Sequence, residues 1–179
     1  MDYAFKPAFL NSDENVRLVL YSAVAFLVPF LLDGPQLLVG TIVNAMLVMA
    51  AFEFRGSRAL PVIFLPSVGA LSRGLLFGPF TPFLAVMMPM IWVGNATLVY
   101  GTRRLVSLKV NAVSSVAVAA CAKALALFAP AYALVATGAL PALFLTAMGI
   151  MQLVTAVIGG GAALLLRNAL MRRRPDVSG

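Results

Sequence analysis

Apolar residues run along this chain in long, nearly unbroken stretches, separated by short polar or turn-rich connections. Six stretches stand out: about Val16 to Leu32, Gln36 to Phe54, Ala59 to Phe77, Pro82 to Tyr100, Val110 to Ala136 and Pro141 to Leu166. A helix crossing a hydrocarbon core of ~30 Å takes about 20 residues, and each stretch comes close to or exceeds that length. The pattern predicts an all-α, polytopic membrane protein: one domain over residues 1–179, folded as a bundle of six transmembrane helices. Asn11, Ser12, Asp13 and Glu14 give the first helix an acceptor side chain and acids in its first turn. The fifth and sixth stretches exceed what a perpendicular helix needs, so tilt, or a kink at Pro130, is expected. Pro66, Pro82 and Pro89 read as interruptions in the hairpin formed by the third and fourth stretches.

The connections alternate in charge. Lys6 and Arg17, then Arg55 and Arg58, then Arg103, Arg104 and Lys109, then Arg167, Arg172, Arg173 and Arg174 lie on one side. The other side has Asp33, Gly34 and Pro35, then Phe77 to Phe80, then Thr137 to Leu140, with neither Lys nor Arg. Basic residues near span ends mark the cytoplasmic side. Six spans then place both termini in the cytoplasm, with the protein in the cell (inner) membrane. The basic tail reads first as this topology signal and second as a contact for anionic lipid headgroups.

Composition changes the picture mainly by exclusion. Hydrophobic residues make up 62% of the 179 positions and charged residues 11%, about half the charged share of a soluble domain. Mean hydropathy is +1.00. The net charge of +7 does not signal nucleic acid, because the cations lie between apolar runs rather than on one amphipathic face. There is no histidine and one cysteine, Cys121, so no metal site and no cofactor is expected. No paired carboxylates or nucleophile–base pair suggest an enzyme. The polar N-terminal segment does not read as a cleaved signal peptide.

Candidate chemistry therefore rests on polar residues inside the apolar stretches. Arg73, about one turn from the basic-free end of its span, reads as an anion-binding or ion-paired cation facing a cavity. Snorkelling to the headgroups is the plainer alternative, as is a pair with Asp33, the only carboxylate on that side. Lys123 stands mid-span, where a lysine costs on the order of 3 kcal/mol, so it should face the bundle interior. There it would meet a ligand, or pair with Gln152 or Asn44. Asn44 and Gln152 stay open between ligand contact and helix–helix bonding, while Asn95 reads as a helix–helix bond. Trp92 either stacks on a ligand or packs in the core. Glu53 reads as an ion-pair partner for Arg55 and Arg58. The alanine run from Ala117 to Ala126 and Gly159 to Ala163 suit close helix packing.

Six short-looped spans with both termini inside resemble the substrate-binding S components of energy-coupling factor (ECF) transporters. So do Gly40-Thr-Ile-Val-Asn-Ala45 and Gly69-Ala-Leu-Ser-Arg-Gly-Leu-Leu-Phe-Gly-Pro79. The resemblance implies a membrane-embedded subunit that captures a small polar solute, vitamin-like or metal. Its implied partners are that solute, membrane lipid and a transmembrane coupling subunit with ATPases. The family's small residues spaced four apart on helix 1 are replaced here by Ser22 with Phe26 and Ala23 with Leu27. Two further readings stand beside this one: a stand-alone secondary transporter of the same fold, and a structural or assembly subunit of a larger membrane complex. Arg73, Lys123, Gln152, Asn44, Asp33 and Trp92 are the expected substrate contacts.

Overall fold

The computed structural model describes residues 12–32, 35–74 and 81–172. Seven α-helices follow one another among them: α1 (Ser12–Leu31), α2 (Gln36–Glu53), α3 (Leu60–Arg73), α4 (Thr81–Ser107), α5 (Ala112–Ala136), α6 (Leu143–Met148) and α7 (Ile150–Arg172). A 3₁₀ turn, Gly56–Ala59, leads into α3. No strand occurs among the described residues. Five helical stretches, 14–31, 36–53, 81–107, 112–136 and 143–172, are long and apolar enough to cross a membrane. This is the pattern of a multi-pass membrane protein.

Two sequence expectations need correcting. The third span is described only as the 14 residues of α3, roughly 21 Å of helix, and is not among the five. Residues 75–80, where that span and its turn were expected to end, lie outside the described residues, as do Asp33, Lys6, Arg173 and Arg174. The sixth span is not one helix. It breaks at Gly149, whose backbone (φ −100°, ψ −101°) leaves the helical region and separates α6 from α7. The prolines also behave differently. Helices α3 and α4 continue through Pro66 and Pro89, and Pro82 sits in the first turn of α4, where its missing N–H costs no helical bond.

Hydrogen bonds and ion pairs show which helix ends meet. Arg17 of α1 pairs with Glu53 of α2, and Arg58 pairs with Glu14. Arg103 of α4 donates to the carbonyls of Ala51 and Phe54, and Arg167 of α7 lies over the Phe52 ring. These contacts gather the basic end. At the opposite end Arg73 donates to Phe30 O and Gln36 donates to Ala147 O. Glu53, expected beside Arg55 and Arg58, is thus held by Arg17 and by the Tyr21 hydroxyl, because α1 packs across the end of α2.

Small residues set the closest helix contacts. A Cβ on Gly159 of α7 would stand 2.3 Å from Thr41 O of α2, and one on Gly69 of α3 would stand 2.3 Å from Phe26 O of α1. Neither position tolerates a larger residue unless the helices separate. Such backbone proximity is how membrane helices gain dispersion contacts without a hydrophobic driving force. The expected close packing of the glycine and alanine runs is found within the chain. The main core joins Leu47, Val48, Ile63, Leu98, Ala120 and Ala156 across α2, α3, α4, α5 and α7. A smaller cluster of Met87, Leu127, Phe144 and Met148 closes the end near α6.

Candidate functional site

Lys123 is the centre of the bundle's polar interior. It lies eleven residues after Ala112 and thirteen before Ala136, roughly 17–20 Å from either end of α5. Its side chain is 2% exposed. The ammonium donates to Asn44 Oδ1 of α2 at 2.6 Å and to Asn95 Oδ1 of α4 at 2.9 Å. Both amides are oriented from behind. Asn44 Nδ2 donates to Thr155 Oγ1 of α7 at 3.0 Å, and Asn95 Nδ2 donates to Ile63 O of α3 at 2.9 Å. The Thr155 hydroxyl in turn donates to Met151 O at 2.7 Å. Each donor therefore points away from the lysine and each amide oxygen points toward it.

This orientation follows from close packing of α2 on α7. Gly40, one turn from Asn44, has its missing Cβ only 3.0–3.2 Å from the Thr155 side chain. Together with Gly159 it lets the two helices approach closely enough for the Asn44–Thr155 bond. Asn95 follows Gly94, whose own added Cβ would meet Leu127 at 2.8 Å, so α4 and α5 are equally close there. The site thus depends on the small residues that pack the bundle.

A cavity of about 90 Å³ adjoins this network. Its wall includes Lys123, Asn44, Asn95, Gln152, Gln36 and Ser67 as polar groups. Pro29, Gly40, Pro66, Leu84 and Met148 supply much of the rest. These residues come from the last turn of α1, the first half of α2, the middle of α3, the first turn and middle of α4, the middle of α5, the end of α6 and the first turn of α7. The cavity therefore occupies the half of the bundle whose connections lack Lys and Arg, with Lys123 at its inner limit. The volume is several times the ~10–15 Å³ that a single water requires. Met148 and Gln152 flank the Gly149 break, so the one irregular stretch of the last span lies beside the cavity. Non-helical backbone at membrane depth is tolerated where it borders protein or a polar cavity.

Of the six residues expected as contacts, the structure brings Lys123, Asn44 and Gln152 together on this wall. Trp92 stands one layer back. Its Nε1–H donates to Ser67 Oγ at 2.7 Å, and its ring meets Phe64 edge-on at 5.0 Å. It fixes a hydroxyl of the cavity wall rather than lining it. Arg73 ends α3 and donates to Phe30 O at 3.1 Å, at the carboxyl end of α1, where a cation is favoured by the helix dipole. It is not part of the cavity wall. Asp33 lies outside the described residues.

Asn95 was expected only to bond between helices, and Ser67, Gln36 and Thr155 were not singled out at all. A depth count would have found the first. Measured from the basic end, Asn44 is nine residues inside α2, Asn95 twelve inside α4 and Lys123 eleven inside α5. Residues at one depth on antiparallel neighbours are the natural partners, and Gln152 lies nearer the other end. Among the described residues no group of three His, Cys, Asp or Glu side chains forms a metal site.

No family model matches this chain, and neither a curated protein nor a solved structure matches it.

Proposed function

We propose that this protein is a solute-binding membrane protein of a transport system, and that its cavity takes a small solute bearing an anionic or strongly accepting group. One observation carries the reading: a lysine buried mid-membrane, on a cavity wall, held only by neutral amide oxygens. An ammonium has three N–H donors, and two are engaged by Asn44 and Asn95. All six carboxylates of the chain lie at positions 2, 13, 14, 33, 53 and 176, at or beyond helix ends. A charged residue at this depth marks a solute pathway by default. The third donor and the uncompensated charge suit an oxyanion or halide, with the side-chain amides of Gln152 and Gln36 as further donors, while the Ser67 hydroxyl is engaged by Phe64 O and Trp92.

The cavity volume favours a solute of a few heavy atoms over a vitamin-sized one, since drug-sized ligands occupy about 300–1,000 Å³. A six-span bundle with both termini cytoplasmic would open this cavity to the outside. The chain then acts either as the capture subunit of a larger transporter, in the manner of ECF S components, or as a carrier by itself. Thermal unfolding in nanodiscs, with formate, nitrate and chloride at rising concentration, tests the reading. Wild type is expected to be stabilised by at least one of these anions, and Lys123→Met is expected to lose that stabilisation. If no anion stabilises wild type, Lys123 is a structural tie between α2, α4 and α5, and the reading fails. Uptake of the stabilising anion into vesicles holding only this chain separates carrier from subunit.

A further inference from the structure

A second feature lies at the basic end, away from the cavity. A groove of about 400 Å³ is lined by Arg55, Tyr100, Arg103, Arg104 and Ser107. Arg103 is fixed within it. Its Nε–H donates to Ala51 O at 3.3 Å, its Nη2–H donates to Phe54 O, and its guanidinium lies 5.2 Å from the centre of the Tyr100 ring. The Tyr100 hydroxyl donates to Gly56 O at 3.3 Å and ties α4 to the 3₁₀ turn. Arg55 and Arg104 are exposed on either side. The two carboxylates described at this end are engaged elsewhere, Glu53 with Arg17 at 2.9 Å and Glu14 with Arg58 at 2.6 Å. The guanidiniums of Arg103 and Arg104 line this groove, with Arg55 at its side. Guanidinium forks match phosphate oxygens in bidentate geometry.

The neighbouring face of α4 says what carries the phosphate. Val86, Met90, Val93, Thr97, Tyr100 and Arg104 fall on one stripe at three- and four-residue spacing. Val86 is 52% exposed and Val93 is 54% exposed, so the stripe presents apolar surface along the helix and ends in the groove. An acyl chain along the stripe would set its own phosphate among Arg55, Arg103 and Arg104. A soluble phosphate would use the groove and ignore the stripe. Basic pockets between helices at a membrane surface bind anionic headgroups in this way.

We propose that this groove is a specific site for the phosphate of an anionic phospholipid whose acyl chain lies along the exposed stripe of α4. The test uses the full chain in nanodiscs of phosphatidylcholine doped with phosphatidylglycerol, followed by native mass spectrometry of retained lipid. Arg55→Gln with Arg104→Gln removes two groove cations and leaves Arg103 to hold α2. Lys109→Gln with Arg172→Gln removes two exposed cations from the same end outside the groove and serves as the charge-matched control. Wild type and the control are expected to retain phosphatidylglycerol, and the groove variant to lose it at least tenfold with an unchanged unfolding temperature in pure phosphatidylcholine. Equal loss in both variants would reduce the groove to general surface charge and overturn the proposal. So would displacement of the lipid by millimolar inorganic phosphate, which would make the occupant a soluble anion.

Discussion

At the basic end Arg17 meets Glu53 and Arg58 meets Glu14, across helix ends that keep part of each side chain exposed. In the middle of the bundle Lys123 meets two amide oxygens and no carboxylate. The two regions solve one problem under different dielectric conditions. Near water an opposite charge is inexpensive to hold but weak, because solvent and salt screen the pair. Deep in the bundle a carboxylate partner would add a second desolvation penalty of several kcal/mol. Oriented amide dipoles stabilise the ammonium without bringing that second ion. They also leave its net charge standing, which an ion pair would cancel. At the centre the cation is thus held by neutral dipoles, and at the rim paired charges hold α1 against α2 and the 3₁₀ turn.

The comparison breaks first at the amides. Replacing Asn44 and Asn95 together by Leu strips Lys123 of both acceptors and leaves a buried cation unpaired. A loss of about 3–5 kcal/mol is expected, read from unfolding in mixed micelles. Adding Lys123→Met to that pair should restore most of the stability, since the interior is then wholly apolar. If the triple variant stays as unstable as the double, the amides hold the helices by themselves and the lysine is incidental. Gly159→Leu comes next. Its side chain meets the Thr41 carbonyl, forces α2 from α7 and should cost about 1–3 kcal/mol while loosening the Asn44–Thr155 bond. At the rim, Glu53→Gln should cost about 1 kcal/mol, because Arg17 and Glu53 are mostly covered, and only slightly less at high salt. Smallest of all is Glu14→Gln, where Arg58 is 44% exposed on its side chain; a change under about 0.5 kcal/mol is expected. Rim substitutions that cost as much as the amide pair would erase the contrast.

The helices and the interior placement of Lys123 were legible because length and hydropathy determine the first and the cost of a lipid-facing charge determines the second. The partners were not. Helices apolar on every side carry no periodic signal of which face is buried, so nothing along α2 or α4 says that Asn44 and Asn95 face the same neighbour. Gln152 looked as good a partner for Lys123 as Asn44, and Asn95 was read only as a helix–helix bond; depth from the basic end is what separates them. The Gly149 break was hidden for a related reason. A single glycine within an apolar run reads equally well as packing, like Gly94 or Gly101, and only its backbone angles, φ −100° and ψ −101°, distinguish it. Arg73 was read toward a cavity, with snorkelling or a pair with Asp33 as the alternatives. Gly69, one turn before Arg73, serves the α1–α3 contact, and the guanidinium donates to Phe30 O at the end of α1.

The position of Lys123 in the chain relative to its acceptors has a consequence for biogenesis. Asn44 and Asn95 both precede it, on α2 and α4, whereas Thr155 follows on α7. Synthesis delivers the N-terminal helices first, at ~5–20 residues per second. When α5 emerges, two oxygens able to receive its ammonium are therefore already present in the nascent protein. The insertion penalty of a mid-span lysine, on the order of 3 kcal/mol for an isolated segment, can be relieved during insertion rather than after it. Thr155 then arrives last and locks Asn44 in place. A chain truncated after Ala136 contains the lysine and both acceptors, and lacks only the α7 residues that orient Asn44.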